Sequence, residues 1–240
     1  MRIISRYIRP FAPSAGTGLR KSPPVLTAFK LPFPVNNRRA IDPIQCDSMS
    51  RTKKQLRSDK HLVWIDCEMT GLDPARDRLF EIATIITNYD LEVIAHGPVL
   101  AIRQSASRIK RLDAWNRETH TKNGLIERAR TEGVAMAEAE RQTLSFLKKY
   151  CFARMAPLCG NSVGHDKRFL ARYMPRVHDF LHYRIIDVSS IKLLVSQWYG
   201  GAIKPPRKPE VHRALADIEN SIAELSFYRE HVFRAPDTTA

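Results

Sequence analysis

The pattern of apolar and polar positions divides residues 61–240 into strand-like and helical segments. Short apolar, β-branched runs predict strands at 62–65, 79–87, 91–102, 157–160 and 185–188. Apolar residues at helical spacing predict one helical face with Ile109, Leu112 and Trp115, a second segment at 125–126, and helices at 136–150, 166–173, 189–199 and 214–231. This order predicts an α/β fold in which the first three strands form a meander.

Residues 1–60 differ in composition from the rest of the chain. Seven prolines, from Pro10 to Pro43, interrupt every apolar run before it reaches helix length, which predicts a disordered extension ahead of a domain at 61–240. Arg2, Arg6 and Arg9 are typical of a mitochondrial transit peptide. Met49 is an alternative first residue, in which case residues 1–48 are an over-extended gene start.

Composition narrows the class of protein. The net charge is +14, but residues 1–60 hold 13 Lys and Arg against three acids, which leaves only +4 for residues 61–240. No apolar run approaches the roughly 20 residues of a membrane helix, and no secretory signal is evident. The four cysteines lack C-x-x-C spacing, which favours reduced thiols in an intracellular protein over a disulfide framework.

The first candidate chemistry lies where the strand at 62–65 ends. Asp66 and Glu68 follow it, and alternate residues of a strand point to one face. Two like charges there are costly to bury unless a cation lies between them, and Mg²⁺ and Mn²⁺ prefer carboxylate oxygens. Two solvated acids are the alternative interpretation. Ligands elsewhere in the chain must decide between the two.

Two further acidic positions follow. Asp166 lies where a strand passes into a helix, and it either complements the helix dipole or joins a ligand site at the open end of the sheet. Asp217 comes five residues after His212. Because residues five apart on a helix are about 140° apart, His212 is predicted on the loop before the helix that carries Asp217.

Four motifs in chain order resemble the DEDDh 3′-to-5′ exonucleases, and within them the oligoribonuclease family. They are Trp-Ile-Asp-Cys-Glu-Met-Thr-Gly-Leu-Asp, Gly-Asn-Ser-Val-Gly-His-Asp, His-Tyr-Arg-Ile-Ile-Asp-Val-Ser and His-Arg-Ala-Leu-Ala-Asp-Ile. The resemblance covers residues 61–233 and implies a ribonuclease H-like fold with a central mixed β-sheet flanked by helices. It also implies two divalent ions, Mg²⁺ or Mn²⁺, held by Asp66, Glu68, Asp166 and Asp217.

The resemblance makes His212 the general base. A histidine with an ordinary pKa near 6.5 can take the proton of an attacking water, and two ions about 3.5–4 Å apart suit in-line hydrolysis of a phosphodiester. His165 stands where bacterial members of the family carry glutamine. Its adjacency to Asp166 also matches the His-Asp metal motif of phosphohydrolases, but the partner histidines of that motif are not evident.

Contacts to the bases of the substrate are implied at three positions. A wedge against a terminal base corresponds to Leu72, and Trp115 and His120 line the pocket from the following helices. Each has another interpretation: turn packing for Leu72, core packing with Leu112 for Trp115, and a surface position for His120.

The resemblance further implies a cap around the 5′ phosphate of the substrate. Its residues are Ser162, Arg184 and Ser189, and Tyr183 from a second subunit completes it. That tyrosine implies a homodimer, which nothing in composition or periodicity indicates.

The sequence therefore predicts a dimeric, metal-dependent 3′-to-5′ exonuclease that degrades very short single-stranded RNAs, down to dinucleotides. The alternatives are a DEDDh exonuclease that trims longer RNA or single-stranded DNA, and a silent module that binds RNA through its basic extension. A binder gains nothing from converging carboxylates that repel phosphate. The predicted location is cytoplasmic, or mitochondrial if residues 1–48 are a transit peptide.

Overall fold

The computed structural model describes residues 56–206 and 212–233. The strands are β1 (His61–Met69), β2 (Leu79–Asn88), β3 (Val93–Ala101), β4 (Leu158–Gly160) and β5 (Ile185–Asp187). The helices are α1 (Ala106–Ile109), α2 (Ala114–Lys122), α3 (Leu125–Thr131), α4 (Met136–Tyr150), α5 (Gly164–Tyr173), α6 (Pro175–Phe180), α7 (Val188–Trp198) and α8 (Ala214–His231). None of these helices is long and apolar enough to cross a bilayer. Residues 1–55 of the predicted disordered extension lie outside the described residues.

The five strands form one mixed sheet in the order β3-β2-β1-β4-β5. Strand β1 is antiparallel to β2, which is antiparallel to β3, so the predicted meander is confirmed. Strands β1, β4 and β5 run parallel to one another. The carboxyl ends of these three strands therefore meet at one edge of the sheet, where ligand sites of α/β proteins collect.

Alternation along β1 separates two hydrophobic cores. Val63 and Ile65 face a core completed by α4, α5 and α6. Leu62 and Trp64 face the other side, against α7 and α8. The Trp64 indole N–H donates to Thr87 Oγ1 at 2.9 Å, so this fully buried ring leaves no polar atom unsatisfied.

Three elements differ from the prediction. Strand β1 continues past Ile65 to Met69, because Asp66 and Glu68 keep their register with Ala83 and Glu81 of β2. The predicted helical face with Ile109, Leu112 and Trp115 is two helices, since Asp113 caps the start of α2 by accepting from the Asn116 N–H. The six-residue helix α6 was not predicted, being too short to show a period.

Candidate active site

Four carboxylates converge at the carboxyl end of β1. One oxygen each from Asp66, Glu68 and Asp217 lies within 4.8 Å of the others. Asp166, in the first turn of α5, is 6 % exposed, and its Oδ1 accepts a hydrogen bond from the Cys67 N–H at 2.9 Å. That bond holds Asp166 against the segment of β1 that carries the first two acids. The structure thus brings the four predicted metal ligands to one place.

The electrostatics of this cluster are unfavourable without a cation. Burial, followed by repulsion from Asp166, Glu68 and Asp217, raises the pKa of Asp66 well above its ordinary value. Burial and the charge of Asp217 raise the pKa of Glu68 to about 8. Burial raises the pKa of Asp166 to about 7, against the stabilising hydrogen bond from Cys67. Closely spaced carboxylate oxygens that resist ionisation fit a hard divalent cation, which would hold them all in the charged form.

His212 lies on the loop before α8, as predicted. Its backbone is in the left-handed region at φ 47°, which costs a residue with a Cβ roughly 1 kcal/mol. The Asn123 side-chain amide donates to the His212 carbonyl at 2.5 Å and holds this conformation. Burial raises the pKa of Asp217, and the nearby His212 opposes that rise.

The predicted base-contacting residues lie in three different environments. Trp115 is half-buried, and its ring meets the His212 ring edge to face at 5.5 Å, so it borders the candidate site. Leu72 is 39 % exposed on the loop after β1, where a side chain at Gly71 would collide with the Asp77 carboxylate. Both side chains are at least partly accessible to a substrate, and their role in binding it stays a prediction.

His120 is fully buried, so its interpretation as a surface residue is wrong. Its Nε2 lies 3.3 Å from the Met69 carbonyl at the end of β1, and its ring meets Phe80 edge to face at 5.2 Å. Among the described residues Nδ1 has no hydrogen-bond partner. Burial lowers the pKa of His120, which favours the neutral ring. Its predicted role in substrate binding stays a prediction.

The residues of the predicted phosphate cap lie around β4 and β5. Ser162 and Ser189 follow the carboxyl ends of these strands, whereas Tyr183 and Arg184 precede the amino end of β5. Ser162 Oγ and Ser189 Oγ lie 3.1 Å apart. Oδ1 of Asp187 accepts from the Ser162 N–H at 2.8 Å and the Ser189 N–H at 3.1 Å, which fixes both backbones. Tyr183 is 70 % exposed, and the Arg184 guanidinium lies 5.0 Å from its ring centroid.

A cleft of about 430 Å³ adjoins Ser162. It is lined by Ser162, Gly164, His165, Arg168 and Asp187. His165 faces this cleft and does not belong to the carboxylate cluster found among the described residues. Its place in a metal site of the phosphohydrolase type therefore has no support from the structure.

Sequence reasoning missed two supporting acids. Glu81 is 2 % exposed on β2, where its Oε1 accepts from Arg128 at 2.5 Å and its Oε2 accepts from the Ala214 N–H at 3.2 Å. It therefore ties the start of α8 to the sheet. Asp187 holds the two cap serines in the same way. A lone acid inside the apolar run 79–86 was the signal for Glu81, because such a charge needs a partner.

Comparison with known proteins agrees with this fold and site. The family model for exonucleases of the RNase T type matches residues 63–225, which is more than half of the chain. That range begins on β1 and ends in α8, so it contains all four converging carboxylates. The class defined by the fold and the site is thus an exonuclease of this type.

Curated relatives narrow the class. Oligoribonuclease of Yersinia pseudotuberculosis serotype O:1b is 48 % identical over 178 residues, which cover 74 % of this chain and 98 % of the relative. Oligoribonuclease of Coxiella burnetii is 50 % identical over 175 residues, covering 73 % and 96 %. The chain belongs to the oligoribonuclease family.

Solved structures match the fold at lower identity. Exonuclease I from Methylocaldum szegediense superposes with a TM-score of 0.55 and 19 % identity, over 72 % of this chain. Escherichia coli exonuclease I in complex with a dT13 oligonucleotide gives a TM-score of 0.55 and 16 % identity, over 71 %. The match spans 41 % of each of those longer chains. These likenesses confirm the ribonuclease H-like exonuclease fold.

Proposed function

We propose that the chain is a 3′-to-5′ exoribonuclease that degrades very short RNAs, down to dinucleotides, to 5′-mononucleotides. The observation that carries this proposal is the arrangement of the carboxylates and the cap on parallel strands. Neighbouring strands are about 4.8 Å apart, so Ser189, just past the carboxyl end of β5, lies about 10 Å from the carboxylates on β1. That distance suits a substrate with one or two nucleotides between its 5′ phosphate and the scissile bond.

The residues divide the chemistry between them. Asp66, Glu68, Asp166 and Asp217 would hold two divalent ions, Mg²⁺ or Mn²⁺. Bound there, such ions supply a polarised water and stabilise charge on the leaving oxygen. His212 takes the proton of the attacking water as the water oxygen bonds to phosphorus and the bond from phosphorus to the 3′ oxygen breaks.

The cap and the base contacts select the length of the substrate. Arg184 and the hydroxyl groups of Ser162 and Ser189 bind the 5′ phosphate through charge-assisted hydrogen bonds, which are about twice as strong as neutral ones. Leu72 and Trp115 contact the bases, and stacking of one base on an aromatic ring contributes about 1–3 kcal/mol. A longer RNA has to pass the cap, so its 5′ phosphate cannot bind there.

A homodimer is the second part of the proposal. Tyr183 protrudes with 70 % of its surface exposed, which leaves its ring accessible to a second subunit. On α7, Leu194 and Trp198 lie four residues apart on one face and are 44 % and 73 % exposed. Apolar side chains grouped in this way mark interaction surfaces. Sedimentation should give a dimer, and Trp198→Asp should give a monomer with impaired dinucleotide cleavage.

Digestion of 5′-labelled RNAs of two to twenty nucleotides, with Mg²⁺ or Mn²⁺, tests the function. We expect 5′-phosphorylated dinucleotides to have the highest kcat/KM. Removing the 5′ phosphate should cost about tenfold or more, and Arg184→Ala should erase that difference. Equal cleavage of two-mers and twenty-mers would instead favour a general DEDDh exonuclease.

A further inference from the structure

A second cleft, lined by basic residues, lies apart from the carboxylate cluster and the cap residues. It has a volume of about 280 Å³ and is lined by Arg78, Ile102, Arg103, Gln104, Ser105, Arg108 and Met136. Three of these seven residues carry a guanidinium group, and none carries a carboxylate. The volume lies just below the roughly 300–1,000 Å³ of pockets that enclose whole small molecules. The cleft therefore suits one charged group of a larger ligand.

The three guanidinium groups lack a counter-ion in the part of the chain that the structure describes. Within residues 56–206 and 212–233, no carboxylate forms an ion pair with Arg78, Arg103 or Arg108. The segment from Ala101 to Arg111 holds four basic residues and no acid. Like charges around one cleft raise its potential and attract an anion.

The cleft is held in shape by hydrogen bonds that leave donors available. The Nη1 of Arg78 donates to Tyr173 Oη at 2.6 Å and to the Asp77 carbonyl at 2.9 Å. Among the described residues, all side-chain hydrogen bonds of Arg78 use this nitrogen, so Nε and Nη2 keep their donors for a ligand. The Gln104 amide donates to the Leu79 carbonyl at 2.7 Å and fixes the loop after β3.

The cleft lies at the same end of the sheet as the carboxylates but faces the other core. Ile102 and Met136 belong to the core formed with α4, α5 and α6, whereas Asp66 and Glu68 project from the opposite face of β1. Arg78 precedes Glu81, the β2 partner of Glu68, by three residues, or about 10 Å along a strand. A ligand in the cleft is thus close to the catalytic centre and separate from it.

We propose that this arginine cleft is an exosite for a nucleotide phosphate, supplied either by the backbone of an RNA strand or by a released mononucleotide. Guanidinium groups match the geometry of phosphate oxygens. Three arginines around one cleft without a carboxylate therefore favour an anion that carries charge on several oxygens, as a phosphate does. The proposal rests on the proposed function only for the choice of a nucleotide ligand.

Binding without divalent cations tests the cleft, because the candidate active site then lacks the cations that would attract a phosphate and is a poor site for it. The ligands are inorganic phosphate, adenosine 5′-monophosphate and a ten-nucleotide single-stranded RNA, each in EDTA. The test variant is Arg103→Glu/Arg108→Glu, which spares Arg78 and its hydrogen bond to Tyr173. The control, Lys148→Glu/Lys149→Glu, makes the same charge change at the far end of α4, about 20 Å from Met136.

We expect the test variant to bind the RNA at least tenfold more weakly than the control does. The slope of its salt dependence should become shallower by about 1 for each phosphate that an arginine no longer neutralises. A parallel loss of affinity for phosphate and mononucleotide identifies the free nucleotide as a ligand, whereas a loss for RNA alone identifies the strand. Milder losses of affinity in Arg103→Gln/Arg108→Gln should follow the same order.

Two results overturn the exosite. One is equal binding of all three ligands by the test variant and the control. The other is a matching fall in cleavage of 5′-phosphorylated dinucleotides, because the cleft would then belong to the catalytic centre. If the wild-type protein cleaves no dinucleotide, the proposed function fails, but the binding comparison in EDTA still tests the cleft.

Discussion

Chelation of divalent cations should make the free energy of unfolding fall as the pH rises from 7 to 8.5. Burial and repulsion raise the pKa of Glu68 to about 8, from an ordinary value of 4.5. Folded Glu68 therefore keeps its proton through much of this interval, whereas the unfolded chain has released it. Because the folded state binds more protons than the unfolded state, raising the pH destabilises it. Asp66, whose pKa is also raised, acts in the same direction.

The magnitude follows from the number of groups. Each carboxylate that is protonated only in the folded state costs about 1.4 kcal/mol for each pH unit. Two such groups set a ceiling of about 4 kcal/mol across these 1.5 pH units. Release of the Glu68 proton near pH 8 and screening by solvent at the open site both lower it. A loss of about 1–2 kcal/mol remains, which corresponds to a fall in Tm of about 2–8 °C for a domain of this size.

Thermal unfolding in EDTA and in saturating Mg²⁺ or Mn²⁺, at pH 7 and 8.5, measures this effect. Protons compete with cations for the carboxylates, so the cation should raise Tm more at pH 8.5 than at pH 7. The interval avoids pH values below about 6.5, the ordinary pKa of histidine, where His120 acts in the opposite direction. Its lowered pKa makes the unfolded state the stronger proton binder there, so stability rises with pH.

A matched pair of variants isolates the cause. Glu68→Gln should flatten the decline in EDTA, whereas Glu118→Gln, which removes an exposed acid on α2, should leave it unchanged. Stability in EDTA that is constant or rises from pH 7 to 8.5 would refute the reasoning. So would a cation effect of the same size at both pH values.

Three other predictions test individual residues. Replacing any proposed metal ligand by Ala should abolish turnover without unfolding the domain; these residues are Asp66, Glu68, Asp166 and Asp217. Activity above about a hundredth in saturating metal would contradict the role of that residue. His212→Ala should lower kcat by about 10² to 10⁴ with RNA binding intact, while His165→Ala should be far milder, and the reverse ranking would reassign the base. A fragment that starts at Met49 should cleave dinucleotides as well as the full chain, and loss of activity would make residues 1–48 part of the enzyme.

The sequence predicted most of the fold because its strands and longer helices have clear periods. It ended β1 at Ile65, since two closely spaced acids are unusual inside a buried strand. The strand continues because backbone pairing with β2 does not depend on side-chain charge. The free-energy cost of burying the two acids is tolerated because they form the candidate site. Helix α8 was predicted with its observed bounds, Ala214–His231, because 18 residues display the helical period well.

The sequence predicted which residues form the candidate site, but it did not predict the contacts that hold them in place. Asp166 and His212 could be placed from local geometry alone: a helix start and a loop before a helix. The contact between Trp115 and His212 joins residues almost a hundred positions apart, and no local pattern encodes it. Burial of His120 is likewise a result of packing between α2 and the end of β1. Such long-range contacts are decided by tertiary structure.

Glu81 links α3 to the start of α8, next to the loop that carries His212. Its carboxylate is shared between Arg128 on α3 and the first N–H of α8, while the Asn123 amide holds the His212 carbonyl from the segment between α2 and α3. The carboxylate ligands on β1 need neither contact, because β1 is fixed by the strands on both sides. The loop that carries His212 has both: one holds its carbonyl and the other holds the start of α8 just after it. Asp66 and Glu68 therefore depend on the sheet for their positions, whereas the position of His212, the proposed general base, depends on the packing of α2 and α3 against it.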